Sequence, residues 1–207
     1  LFREPIKLID PNDFLKVLIE HEIGLISGVP DSLLKHLGKC FLGNEYDVPH
    51  VIAANEGNAI ALAAGHYLAT GKLGVVYLQN SGIGNTINPL LSLVDKEVYG
   101  IPMLLIIGWR GEPGTSDEPQ HIKQGRVTTN LLECMETPYW IVDQNSQYRE
   151  ILKNACDTAH QNSSPVAILV KSETFGSGEF QNLSEQANRV NSDPLPLREE
   201  FIGELQR

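Results

Sequence analysis

From residue 10 to about residue 170, short runs of consecutive apolar residues alternate with longer stretches in which apolar residues recur every three or four positions. The first pattern predicts strands and the second predicts helices with one buried face. Strands are expected at Ile23–Ser27, His50–Ala54, Leu73–Gln79, Met103–Gly108, Tyr139–Val142 and Val166–Val170. The first helix opens on Asp10-Pro11, a capping residue followed by a first-turn proline, and runs to about Glu20 with Phe14, Leu15, Leu18 and Ile19 on one face. Further helices are expected over Ser32–Leu37, Glu56–Ala69 (stopped by Gly71), Thr86–Val98, Arg126–Met135 and Ser146–His160. Met103–Gly108 is an unbroken apolar run, which suits a strand covered on both faces. Six strands separated by helices predict an α/β fold, a doubly wound parallel sheet with helices on both faces.

Two stretches interrupt this rhythm. Trp109–Gly125 is polar, carries Pro and Gly, and is too long for a routine connection, so it is expected to be a functional or a mobile loop. Residues 173–196 are rich in Gly, Ser, Asn and Pro and are expected to be a linker. The division is therefore an α/β domain over 1–172, a linker over 173–196, and the start of a second domain over 197–207, where an amphipathic helix begins. The chain is thus expected to be the N-terminal half of something longer, and the absence of an initiating Met to reflect a processed or trimmed start.

Charge and composition narrow the class. The chain has 207 residues and a formal net charge of −10, without a Lys/Arg-rich run, which argues against a nucleic-acid binder that tracks the phosphate backbone. No apolar stretch approaches the ~18 residues of a membrane span, and the N-terminus lacks a signal-peptide core. Three scattered cysteines, Cys40, Cys134 and Cys156, suggest reduced thiols in a cytoplasmic setting.

In an open parallel sheet, ligands bind at the carboxyl ends of the strands. Here four strand ends carry unusual residues: Gly28-Val29-Pro30-Asp31-Ser32, Asn55-Glu56-Gly57-Asn58, Asn80-Ser81-Gly82-Ile83-Gly84-Asn85 and Trp109-Arg110-Gly111-Glu112-Pro113-Gly114. Glu56 heads its helix, where a carboxylate complements the helix dipole for ~0.3–1 kcal/mol. The residues after it (Gly57, Ala59, Ala61, Ala63, Ala64, Gly65) make a helix nearly free of bulky side chains, packed either on its own sheet or against another subunit. A carboxylate at the head of so tightly packed a helix is expected to be desolvated, which raises its pKa toward a proton-relay value. The Asn80–Asn85 loop has the start of a dinucleotide fingerprint without its third glycine, and otherwise reads as a tight, side-chain-capped turn. Ser81 lies outside any nucleophile elbow, which argues against a hydrolase.

Together, Asn55–Ala59 and Gln79–Asn85 resemble the pyrimidine-binding half of thiamine-diphosphate enzymes. The segments Gly28–Leu34, Trp109–Gly114 and Asp117–His121 are similar to the phosphonopyruvate and sulfopyruvate decarboxylase branch of that family, and the likeness extends over roughly residues 8–175. The resemblance implies that Glu56 hydrogen-bonds N1′ of the cofactor's aminopyrimidine, and that Asp31 lies near the substrate and manages protons. It implies also that Asn80, Ser81 and Gly82 line the cofactor cavity. A substrate bearing phosphonate or sulfonate needs cations. Arg110, His121, Lys123 and Arg126 cluster in or beside the long polar stretch, with Arg110 and His121 the expected contacts as that stretch closes over the substrate.

The family's other half carries Gly-Asp-Gly and, about thirty residues on, an Asn, which together hold Mg²⁺ on the diphosphate. No Gly-Asp-Gly occurs in this sequence. The expectations are therefore thiamine diphosphate as cofactor, Mg²⁺ held by a diphosphate-binding domain or subunit, inactivity of this chain alone, and a homo-oligomer. Phosphonopyruvate is the expected substrate, with sulfopyruvate second. A non-catalytic assembly domain of the same fold is the competing class, and a nicotinamide-dependent oxidoreductase is weaker still.

Overall fold

The computed structural model describes residues 8–43 and 46–177. It has six strands, β1 (Leu25–Gly28), β2 (His50–Ile52), β3 (Gly74–Gln79), β4 (Met103–Gly108), β5 (Tyr139–Val142) and β6 (Pro165–Val170). Six α-helices accompany them: α1 (Pro11–Glu20), α2 (Lys35–Gly43), α3 (Glu56–Thr70), α4 (Ile83–Pro89), α5 (Pro119–Cys134) and α6 (Tyr148–Asn162). The sheet is parallel throughout, in the order β2-β1-β3-β4-β6-β5, as the alternation of elements predicts.

Burial follows position in the sheet. Every residue of the central strands β4 and β6 is buried, whereas the edge strand β2 is largely exposed and β5 is buried only at Val142. Alternate strand residues face opposite layers because the side-chain period of a strand is two. Val75, Tyr77, Leu104, Ile106, Val166 and Ile168 pack with α1, α2 and α6 on one side. Val76, Leu78, Met103, Leu105, Ile107 and Leu169 pack with α3, α4 and α5 on the other.

Helix ends follow the sequence signals where those are local. Asp10 caps α1 by accepting from the Asn12 N–H at 2.8 Å, with Pro11 at the first position. Asn55 caps α3 from Asn58, and Gly71, at φ 72°, ends it in the left-handed conformation that glycine adopts most readily. The inner face of α3 is Ala59, Ile60, Ala63 and Ala64, pressed onto the sheet so closely that a Cβ on Gly74 would stand 2.7 Å from that of Ala63. Packing on its own sheet therefore accounts for the inner small residues, while Ala61, Leu62, Gly65 and Leu68 face outward.

Four expectations are corrected. The helix assigned from Thr86 starts earlier: the chain turns straight from β3 into a 3-10 turn at Asn80–Gly82, then α4, then a π-helical turn at Leu90–Val94. Pro89 cannot donate its share of the α ladder, and the wider turn follows directly after it. The helix assigned from Arg126 starts at Pro119, because a first-turn proline opens a helix whose first turns are too polar to show periodicity. The loop after β4 is thereby shortened to Trp109–Glu118. The second helix is shifted from Ser32–Leu37 to Lys35–Gly43.

Finally, the domain continues past residue 172. Thr174 and Phe175 are buried, Ile9 forms a bridge with Phe175, and the Phe14 and Phe175 rings meet edge-on at 5.1 Å. The remainder of the expected linker, from 178, and the helix expected over 197–207 lie outside the described residues.

Candidate active site

The strand order reverses between β1 and β3: the chain steps from β1 to β2 on one side, then returns to the other side of β1 for β3. A crevice opens at the carboxyl ends of strands flanking such a switch point. Asp31 follows β1 there, and Asn80, Ser81 and Gly82 follow β3. The approach is close, since a Cβ on Gly28 would run into the Tyr77 carbonyl.

Glu56 is the first residue of α3. Its Oε2 accepts a hydrogen bond from Asn85 Nδ2 at 2.7 Å, and its other oxygen lies over Gly82, where a Cβ would collide with it. The space that glycine leaves is what seats the carboxylate. Glu56 is half-buried in this chain rather than withdrawn from water as expected.

Asp31 is the carboxylate withdrawn from water, at 7% exposure. Its Oδ2 accepts from the Leu34 N–H at 3.3 Å and sits over Gly108, while Oδ1 is buried without a hydrogen-bond partner. Burial pushes its carboxyl above the usual aspartate range, opposed by the backbone N–H groups of Leu33, Leu34 and Ser32 and by the charge of Arg110. Asp31 also lines a 320 Å³ pocket between α2 and the β1–β2 edge, with His50 and Tyr77 among the other walls. There His50 Nε2 and Tyr77 Oη are 3.0 Å apart, and burial pushes the phenol up to about 12.

Asn80 is fully buried, and its side chain is committed within the protein. Nδ2 donates to the Arg110 carbonyl at 2.8 Å and to Thr128 Oγ1 at 2.9 Å, and Oδ1 accepts from the Arg110 N–H at 3.3 Å. It fastens the end of β3 to the end of β4 and to α5. Ser81, the next residue, is exposed and accepts from Gln79 Nε2 at 2.7 Å.

Arg110 and His121 converge on Asp117, a residue the sequence reading had given no role. Arg110 Nε and Nη2 donate to the two oxygens of Asp117 at 2.9 and 2.6 Å, and Nη1 donates to Ser32 Oγ at 2.9 Å. His121 Nδ1 lies 2.9 Å from Asp117 Oδ1. The guanidinium beside Asp117 holds its carboxyl far below the usual range, helped by His121 and by the N–H groups of Glu118 and Gly111. With Lys171 paired to Glu112 as well, the loop after β4 is strapped down and does not stand as a free flap. Arg110 opens onto a 610 Å³ cleft with Ser32, Lys35, Ser116 and Asp117, which His121 does not line. Lys123 and Arg126 lie on the exposed side of α5. The i, i+4 spacing of Asp117 and His121 was the available signal for the missed residue.

The pyrimidine side of the thiamine cofactor fits what is here: a carboxylate at a helix head, backed by a glycine whose missing Cβ leaves room. The metal side does not, since among the described residues no group of three His, Cys, Asp or Glu could hold a metal ion. No described helix is long and apolar enough to cross a membrane.

Residues 12–132 match the family described as thiamine pyrophosphate enzyme, N-terminal TPP binding domain. The chain is 33% identical to sulfopyruvate decarboxylase subunit alpha of Methanococcus maripaludis over 75% of its own length and 90% of that protein. It is 35% identical to the subunit of the same name from Methanocaldococcus jannaschii, over 73% and 87%. Against phosphonopyruvate decarboxylase of Streptomyces viridochromogenes it is 37% identical over 63% of its length, which spans 32% of that larger protein. The fold agrees with these likenesses, and the chain belongs to the N-terminal, TPP-binding domains of the thiamine pyrophosphate enzymes.

Proposed function

We propose that this domain is the pyrimidine-binding half of a carboxy-lyase that converts 3-phosphonopyruvate to phosphonoacetaldehyde and carbon dioxide, a step of phosphonate biosynthesis. The observation that carries the catalytic reading is Glu56 at the head of α3, hydrogen-bonded by Asn85 and seated over Gly82. For the choice of substrate, the support is the 37% identity to a phosphonopyruvate decarboxylase, together with an arginine opening onto a cleft.

Thiamine diphosphate, when bound, would supply a nucleophilic carbon and an electron sink for the loss of carbon dioxide. Glu56 would hold N1′ of its aminopyrimidine, with Ser81 and Gly82 beside it and Asn80 fixing that turn from behind. Asp31, with a raised pKa and an unpartnered oxygen, is suited to hold a proton and return it to product carbon. Arg110 offers its outward N–H groups to the phosphonate. Diphosphate and Mg²⁺ fall to a second domain or subunit, and the site is completed in a cytoplasmic oligomer.

A second reading, sulfopyruvate decarboxylation by an alpha-type subunit, is favoured by one observation: the chain spans 90% of the Methanococcus maripaludis subunit. Both acids place a tetrahedral anion beside the ketone, so the ratio of kcat/KM values over a substrate panel, measured on the complete enzyme, decides between them. In the same enzyme Glu56→Gln is expected to lower turnover by several orders of magnitude. Unchanged turnover would instead make this an assembly domain.

A further inference from the structure

We propose that Asp117 is the positioning residue of the anion-binding group, holding one edge of the Arg110 guanidinium and fixing the tautomer of His121. The inference rests on the reading that Arg110 meets the substrate's anion.

The geometry is specific. Five donors converge on one carboxylate: Arg110 Nε and Nη2, the Gly111 N–H at 2.7 Å, the Glu118 N–H at 2.8 Å, and His121 Nδ1. Asp117 is 12% exposed, so these contacts are little diluted by water. An ionised carboxylate only accepts hydrogen bonds, so His121 must carry its proton on Nδ1. In the neutral ring Nε2 is then bare, the reverse of the tautomer that free imidazole side chains prefer in water.

Arg110 is fixed by the same group. Of its five N–H donors, two go to Asp117 and one to Ser32, on the loop that carries Asp31. The plane of the guanidinium is thereby set between the loop after β1 and the turn before α5. Two N–H groups, on Nη1 and Nη2, remain to meet an anion from the cleft that Arg110 lines. Because the Arg110–Asp117 pair is neutral as a unit, what it offers an anion is directed hydrogen bonds more than net charge. Orientation, and hence Asp117, decides the affinity.

The test is made on the complete enzyme, with the partner domain or subunit present. Asp117→Asn preserves shape and is expected to raise substrate KM at least tenfold with a smaller change in kcat, while Arg110→Ala raises KM further. The decisive measurement is the double variant: once Arg110 is gone, Asp117→Asn should leave KM unaltered. An equal rise in both backgrounds overturns the proposal, as does no rise in the wild-type background. Independently of activity, ¹⁵N shifts of His121 should show Nδ1–H in the wild type and a move toward Nε2–H in Asp117→Asn; identical spectra overturn the tautomer claim. Should the amide variant not fold, Asp117→Glu keeps the charge but displaces the fork by one methylene, and the same KM rise is expected. If Arg110→Ala alone leaves KM unchanged, the anion reading of Arg110 fails, and the ¹⁵N result still judges the role of Asp117 toward His121.

Discussion

Asn80 and Arg110 stand thirty residues apart and pair reciprocally: Asn80 Nδ2 donates to the Arg110 carbonyl at 2.8 Å, and the Arg110 N–H donates to Asn80 Oδ1 at 3.3 Å. The side-chain amide imitates one more rung of the β3–β4 ladder just where the two strands end. Removing it takes the partner from the Arg110 carbonyl, while the Arg110 N–H keeps the Gly108 carbonyl and the Thr128 hydroxyl keeps that of Gln124. An unsatisfied buried group costs about 1–3 kcal/mol, so Asn80→Ala should lower the thermal midpoint by several degrees. It should also loosen Arg110, whose backbone it holds. A midpoint within a degree of wild type would show that the pairing is dispensable.

Gly82→Ala separates catalysis from folding. Gly82 sits at φ −74°, ψ −12°, a conformation open to any L residue, so the substitution brings no backbone strain. What the added methyl meets is the Glu56 side chain from Cγ to the carboxylate, with no backbone atom among its nearest contacts, so the side chain must swing aside. The expected outcome is a nearly unchanged thermal midpoint together with a loss of cofactor-dependent turnover of at least tenfold, because the displaced carboxylate no longer sits where the aminopyrimidine needs it. Full activity would mean that the seat of Glu56 is irrelevant.

Gly125→Ala should do the opposite. A Cβ there would strike the Gly111 carbonyl and stand 2.6 Å from that of Arg110, and these are backbone atoms with no room to retreat. Overpacking of this kind costs about 1–3 kcal/mol. For a domain of this size that is roughly 2–12 °C of thermal midpoint, and a scanning calorimeter would show it. The loop after β4 can lie on α5 only because the helix is bare at that turn.

Asp31 and Asp117 shape the pH dependence of stability in opposite senses. Burial holds the Asp31 carboxyl above its unfolded value, so its contribution falls as pH rises from the unfolded pKa, about 3.9, through the folded one. Asp31→Asn should therefore gain in thermal midpoint relative to wild type between pH 4 and pH 7. Asp117 is depressed, so its stabilisation is present above about pH 3.9 and is lost as pH falls below it. Asp117→Asn should accordingly be destabilised at pH 7, with the gap closing on acidification. Midpoints of the two variants that track wild type in parallel across pH would contradict both assignments.

The strands were legible because each is a short run of consecutive apolar or half-apolar residues, and Asp10-Pro11 and Gly71 mark helix ends by chemistry confined to a few neighbouring positions. The start of α5 was hidden. Its first turns, Pro119 to Gly125, are polar and lie against a loop rather than a sheet, so no apolar stripe is required there. Glu56 could be singled out from its place at a helix head, but its seat over Gly82 could not, since the two are brought together by the crossing of α3 and the turn after β3.

Local order of residues thus determined the class of fold, the parallel alternation, the rim on which the candidate residues gather and the family to which the chain belongs. Only the tertiary structure decided which carboxylate is buried (Asp31, while Glu56 stays half open), that Asn80 faces inward, and that Arg110 and His121 meet on Asp117. The reason is physical. Periodicity and capping are set by residues within one or two turns of each other, whereas desolvation and ion pairing depend on groups that different strands deliver to the same point.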